Sequence, residues 1–231
     1  MDLQRNAAVT GLAVLWTVTA AAAGEVRGTV RLEGPAPEPV VLAMTSGSRT
    51  HPVEGCGGPS KMSPRLLVDA AGGIQNAVVW LEAPEPHGSP ADTGHTVLDQ
   101  RECVFEPHVL LLPVGGTVGI RNSDPVLHNL RVFREDAMVM NEWQKPQAAE
   151  LPWHVEEPGR YLVRCGVHAW MHAWVIVADH PYYALTDAAG GFWLRGVPDG
   201  PHTLHVWHET LGEQALPVTV RDGSAVVTVR F

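Results

Sequence analysis

The chain has 231 residues, 45% of them hydrophobic, which is enough for one large domain or two small ones. Its formal net charge of -9, with no basic run, argues against a nucleic-acid backbone or an anionic membrane surface as a partner. Its 19 prolines and 23 glycines predict many turns and few long helices.

Residues 1–23 read as a signal peptide. Arg5 lies in a short polar start, and Ala7 to Ala20 is apolar but short for a bilayer span. Ala21-Ala22-Ala23 before Gly24 fits a small-residue cleavage site. No cysteine follows the apolar run, which argues against a lipid anchor; an uncleaved membrane anchor is the competing reading. After cleavage no segment is expected to span a membrane, and the mature protein is expected to be exported.

Val26 to Leu32 alternates and is rich in β-branched residues, which predicts a strand, and Gly34-Pro-Ala-Pro-Glu-Pro ends it. Residues 43–65 read as a loop carrying Cys56. Asn76 to Glu82 reads as a strand, and residues 83–94 as a long polar loop. His51, His87 and His95 lie in these loops and read as solvated side chains. Cys103-Val-Phe-Glu-Pro-His108 opens a strand pair turned by Pro113-Val-Gly-Gly-Thr, with Thr117 to Arg121 returning. Asn122-Ser-Asp-Pro breaks that strand, and Leu127 to Phe133 resumes alternation. Residues 134–150, with Met138, Met140 and Trp143, read as a polar loop. Arg160 to Arg164 is a predicted strand running into Cys165, and Ala173 to Ala178 is one leaving Met171. Four or five further strands are predicted from His180 to Phe231; about 50 residues is small for an independent sandwich, so this region is expected either to borrow strands from the N-terminal segment or to dock on the preceding domain. No segment sustains a 3.6-residue period, so the chain is predicted to be all-β, with sandwich architecture.

The densest chemistry is Cys165-Gly-Val-His168-Ala-Trp-Met171, which puts a thiolate, an imidazole and a thioether within seven residues between two predicted strands. A trigonal set of two His and one Cys with a weak axial Met is the blue-copper electron-transfer geometry. The second imidazole is assigned to His128, in Asn122-Ser-Asp-Pro-Val-Leu-His128-Asn129. The expected metal ligands are therefore His128, Cys165, His168 and Met171, for one copper. Zinc is the rival ion, and a thioether ligand disfavours it. With Cys165 held by metal, the odd cysteine count leaves Cys56 and Cys103 free to pair; two buried free thiols are the alternative.

His172 directly follows Met171 and is expected to point away from it, since neighbours on a strand face opposite sides. His108 reads as a structural hydrogen-bonding residue, with membership of a second site as the alternative. His154, His202, His205 and His208 read as fold or surface residues, and Trp207-His208-Glu209 as packing plus a hydrogen bond.

Cys165-x-x-His168-x-x-Met171 resembles the ligand loop of cupredoxins, and its short spacing is nearest the amicyanin type. Asn122-x-Asp-Pro-x-x-His128-Asn129 resembles their upstream ligand segment, which implies that the Asn129 backbone helps hold the Cys165 sulfur. Residues 26–231 resemble bacterial cupredoxin-like proteins of the methylamine utilisation type. Gly191-Phe192 to Trp207-His208-Glu209 resembles a carboxypeptidase regulatory-like, transthyretin-like β-domain. The resemblance implies a cupredoxin Greek-key sandwich with an additional small β-sandwich region. Its divisions are 24–100 contributing to the sandwich, 101–178 as the copper-binding core and 179–231 as the regulatory-like region. It further implies a periplasmic one-electron carrier rather than an enzyme, serving a c-type cytochrome or an oxidase. His168 is expected to present the metal edge at the surface among Ala169, Trp170 and Pro125. Copper storage or delivery using Met138 and Met140, and an exported interaction module with a structural metal, are the other readings.

Overall fold

The computed structural model describes residues 24–44, 54–82 and 96–231. The signal-peptide segment and His51, His87 and His95 lie outside the described residues. The described chain is all strand and turn. Strands β1 Gly24–Arg31, β2 Val41–Ala43, β3 Ser60–Met62 and β4 Val78–Leu81 come first. Nine follow closely: β5 Thr96–Arg101, β6 Val104–Glu106, β7 Val109–Pro113, β8 Thr117–Asn122, β9 His128–Arg134, β10 Ala137–Gln144, β11 Leu151–His154, β12 Gly159–Cys165 and β13 His172–Ala178. The last are β14 Tyr183–Leu185, β15 Gly191–Val197, β16 Gly200–His208, β17 Gly212–Val220 and β18 Ser224–Arg230.

These strands build two sandwiches. In the first, the sheet β10-β9-β12-β13-β7 faces the sheet β11-β8-β5-β6. Leu130, Val132, Val163 and Val175 from one sheet meet Leu98, Val118, Ile120 and Trp153 from the other. In the second, β15-β1-β18 faces β14-β4-β16-β17, with Val26, Val30 and Leu194 against Val79, Leu81, Leu204 and Val206.

A third apolar layer joins the two sandwiches. Strand β13 shows why: Ala173, Val175 and Val177 point into the first core, while Trp174 and Ile176 point the other way. Strand β7 does the same with Leu110 and Leu112 on one side and Val109 and Leu111 on the other. Facing them are Val78 and Trp80 of β4, with Tyr183, Leu185 and Trp207. Both strands are continuous apolar runs because both of their faces are covered.

Two expectations are corrected. Strands β1 and β4 serve the second sandwich and not the metal-loop one: β1 pairs with β15 and β18, and β4 with β14 and β16, while Met44 and Cys56 pack in the first core. The 50-odd C-terminal residues cannot close a core alone, and the N-terminal strands complete it. Among the described strands of the 24–100 segment, β5 alone joins the first sandwich, parallel to β8. The second correction concerns residues 134–150, which contain strand β10 rather than a loop alone. It pairs with β9 along an outer edge, so most of its side chains stay exposed and hydrophobic alternation gives no signal there.

Candidate metal centre

The β12–β13 hairpin places the site. Arg164 pairs with His172, and one step further the Cys165 N–H donates to the Met171 carbonyl at 3.2 Å. Cys165 and Met171 are thus opposite one another, and cross-strand partners put their side chains on the same face. That face is the inner one, and both side chains are buried. The Met171 N–H donates to the His168 carbonyl at 3.0 Å, which tightens the turn and folds His168 back under it. On the neighbouring strand Cys165 pairs with Leu130, so His128, two residues away, shares the same inner face.

Three donor atoms therefore converge. Cys165 Sγ lies 3.6 Å from His128 Nδ1 and 3.8 Å from His168 Nδ1, and the two Nδ1 atoms are 3.0 Å apart. Bonds of roughly 2.0–2.1 Å to nitrogen and about 2.3 Å to thiolate place S and N roughly 3.5–3.7 Å apart around one ion. The donor set and its spacing fit a soft, thiolate-binding metal. His128 is fully buried, and Cys165 and His168 are nearly so.

The sulfur is prepared to be a thiolate. The backbone N–H groups of Val167 and His168 both point at Cys165 Sγ, at 3.4 Å each. Burial pushes the thiol up, but hydrogen bonds from His128 and His168 and from the Asn129 and His168 backbone outweigh it and bring the pKa to about 5. Burial alone would lower His128; the bonds to Asp124 and Cys165 outweigh it, and the net shift is upward.

Asn129 is a brace on two sides. Its carbonyl accepts from the Gly166 N–H at 2.8 Å, and its side chain binds Asn141, the Glu142 carbonyl and Arg131. A Cβ on Gly166 would meet Asn129 Oδ1 at 2.2 Å, so the loop needs glycine there.

Sequence reasoning missed Asp124. Its carboxylate, 3% exposed, lies 2.8 Å from His128 Nε2 and fixes which face of the imidazole looks at Cys165. The same carboxylate accepts from the Cys103 N–H at 2.8 Å and, at short range, from the Glu102 N–H. Glu102 and Cys103 are the two-residue turn between β5 and β6, with φ of 49° and 56°. Such a turn ordinarily takes Asn-Gly, and Asp124 holds it with two hydrogen bonds instead. The available signal was Asp four residues before His, followed by Pro.

Cys103 is bonded to Cys56, and Cys165 is the free thiol among the described residues. The disulfide packs against the site, with its sulfurs within 4.8 Å of a His168 ring nitrogen. Trp170 closes the same side, its indole donating to the Cys103 carbonyl at 2.9 Å. This cover corrects the expected exposed imidazole edge: His168 is only 4% exposed. The exposed apolar neighbours are Pro125, Leu127, Val167 and Ala169. Met138 is exposed on β10, whereas Met140 packs against the first core, so the two do not form an exposed thioether pair.

His108 and His172, set apart from the loop's ligands by sequence, meet each other and Glu209 between the sandwiches. His202 Nε2 donates to the Pro198 carbonyl at 2.8 Å and His205 stacks on Trp80, as fold residues do. His154 is exposed beside Thr117, and His208 is buried.

No family model matches the chain, and no curated protein matches it. Among solved structures it is similar to a purple cupredoxin from Nitrosopumilus maritimus, at 23% identity over 36% of this chain and 99% of that one, TM-score 0.33. It is similar to amicyanin from Paracoccus versutus at 21% identity over 43% of this chain and 97% of that one, TM-score 0.34. It is also similar to the copper-containing nitrite reductase of Thermus scotoductus SA-01, at 20% identity over 41% of this chain and 25% of that one, TM-score 0.34. Each likeness is confined to less than half of this chain, and the fold described above rests on its own strands.

Proposed function

We propose that the chain is a type 1 copper protein that carries single electrons outside the cytoplasm. The observation that supports this most is the buried convergence of Cys165 Sγ, His128 Nδ1 and His168 Nδ1. These three and the Met171 thioether are the residues that would hold the metal. Copper, when bound, supplies one-electron chemistry, and a thiolate with a thioether favours Cu(I) while imidazole suits Cu(II).

The chain's own residues do the rest. The β12–β13 hairpin bond and the Asp124 and Asn129 contacts hold the donors in place, so little has to move between oxidation states. The disulfide and Trp170 keep water away from His168. Four side-chain donors leave no position for a substrate, which is why a carrier is proposed and not an enzyme. The exposed Pro125, Leu127, Val167 and Ala169 form a small apolar rim suited to a transient interface. The net charge of -9 would steer the approach of a basic partner, such as a c-type cytochrome or an oxidase.

The test is the absorption and EPR spectrum of the mature protein loaded with Cu(II). An intense thiolate-to-copper band with small parallel hyperfine splitting is expected, and Cys165→Ser should abolish it. A colourless Cu(II) complex with ordinary splitting would overturn the proposal.

A further inference from the structure

We infer that His108, His172 and Glu209 form a second metal site, one for a divalent transition ion such as Zn2+ or Cu2+, at the seam between the two sandwiches. The three come from different places: His108 just before β7, His172 at the start of β13 and Glu209 just after β16. Their ligand atoms all lie within 4.8 Å of one another. His108 Nε2 sits at short range on Glu209 Oε1, and His172 Nε2 lies 3.0 Å from Oε2. The two imidazole planes stand at 85° with centroids 5.0 Å apart, so the rings meet edge to face rather than stack.

Two imidazoles and one carboxylate are the donor set of three-ligand zinc sites, with the fourth position left to water. The surroundings fit that role. His172 Nδ1 faces the Trp170 carbonyl at 3.4 Å, which orients the ring as second partners of metal-bound imidazoles do. Glu209 Oε2 also accepts from Trp174 Nε1 at 3.1 Å and has Arg65 Nε at 3.7 Å. The Arg65 side chain is 58% exposed and free to swing into solvent. The side chains of His108 and Glu209 are each 5% exposed, and that of His172 is 16%, so an ion can approach past His172. The ion would also bridge the sandwiches, since His108 and His172 belong to the first and Glu209 to the second.

The experiment is equilibrium dialysis with Zn2+ alone, followed by metal analysis, on the wild-type full chain and on Cys165→Ala, Glu209→Gln and His172→Gln. Cys165→Ala cripples the first site, so zinc it still binds reports on the second. One tight equivalent is expected in Cys165→Ala, together with a zinc-dependent rise in its melting temperature. Glu209→Gln and His172→Gln should each hold one equivalent fewer than wild type. His172 is partly exposed, so its variant carries the test if Glu209→Gln does not fold. Cys165→Ala without a zinc equivalent, or Gln variants binding as many ions as wild type, would leave only a hydrogen-bonded cluster and overturn the inference. The Cu(II) band of the first site is read separately and is expected to persist in Glu209→Gln.

Discussion

Asp124 ties a strained turn, a disulfide cysteine and an imidazole together, which makes its replacement a quantitative test of the site. Removing the carboxylate in Asp124→Ala leaves two fully buried donors without an acceptor: the Cys103 N–H and His128 Nε2. Each buried orphan costs about 1–3 kcal/mol, so about 4 kcal/mol is expected in total. The Glu102 N–H, at an exposed residue, can turn to water and adds little. Asp124→Asn keeps one oxygen, and the favourable orientation gives it to Cys103 and His128. The amide nitrogen then opposes Glu102, for a loss of about 1–2 kcal/mol. Urea unfolding of the metal-free, disulfide-intact protein reads both values from the shift in midpoint at constant slope. Copper affinity should fall about 10–100-fold in Asp124→Asn, because His128 loses its charged brace. An alanine variant within 1 kcal/mol of wild type, or an asparagine variant as weak as alanine, would refute this reasoning.

Three further outcomes are expected. Replacing Cys56 and Cys103 together by Ala opens a loop with a sequence separation of 47, and should cost about 4 kcal/mol in chain entropy, measured by urea unfolding. Ile176→Ala empties a 2% exposed position in the layer between the sandwiches and should cost about 3 kcal/mol by the same measurement, without shifting the copper band. Burial lowers the His180 pKa, with Asp179 opposing, so the unfolded chain takes the proton first. The His180 contribution is constant above about pH 6.5 and is lost as pH falls from there towards the folded pKa. His180→Gln should therefore show a shallower drop in melting temperature between about pH 7.5 and pH 5.5 than wild type.

The sequence disclosed the parts whose pattern is local. The Cys165-to-Met171 loop lies between alternating strands, and its ligand spacing is visible without any fold. Strands β9, β12 and β13 were legible because their inner positions are aliphatic. Strand β10 was not, because an edge strand with solvent on most positions carries no period-two signal. The allocation of β1 and β4 was hidden for another reason: which strands pair is decided by contacts more than 100 residues apart, such as Gly28 with Phe192. Asp124 was in view inside the upstream motif, but its role depends on Glu102 and Cys103 turning back to meet it. Glu209 was hidden further still, since its partners lie 101 and 37 residues away.

Strand β13 connects the two metal proposals. Met171 and His172 are adjacent, and strand geometry sends adjacent side chains to opposite faces. The inner face carries Met171 to the Cys165 side of the first core. The outer face carries His172 to Glu209, beside Trp174, in the layer that meets the second sandwich. The rule that kept His172 out of the first donor set is therefore the rule that delivers it to the second. It also explains why the second sandwich sits against the first at this strand: β13 is apolar on both faces and needs a cover on each. Glu209 comes with that cover. A carboxylate with side-chain exposure of 5% is costly to bury unless it is paired, and the two imidazoles offered by β7 and β13 are what make the seam tolerable for it. The apolar layer explains why the sandwiches adhere, and the His108–Glu209–His172 cluster fixes where they do so.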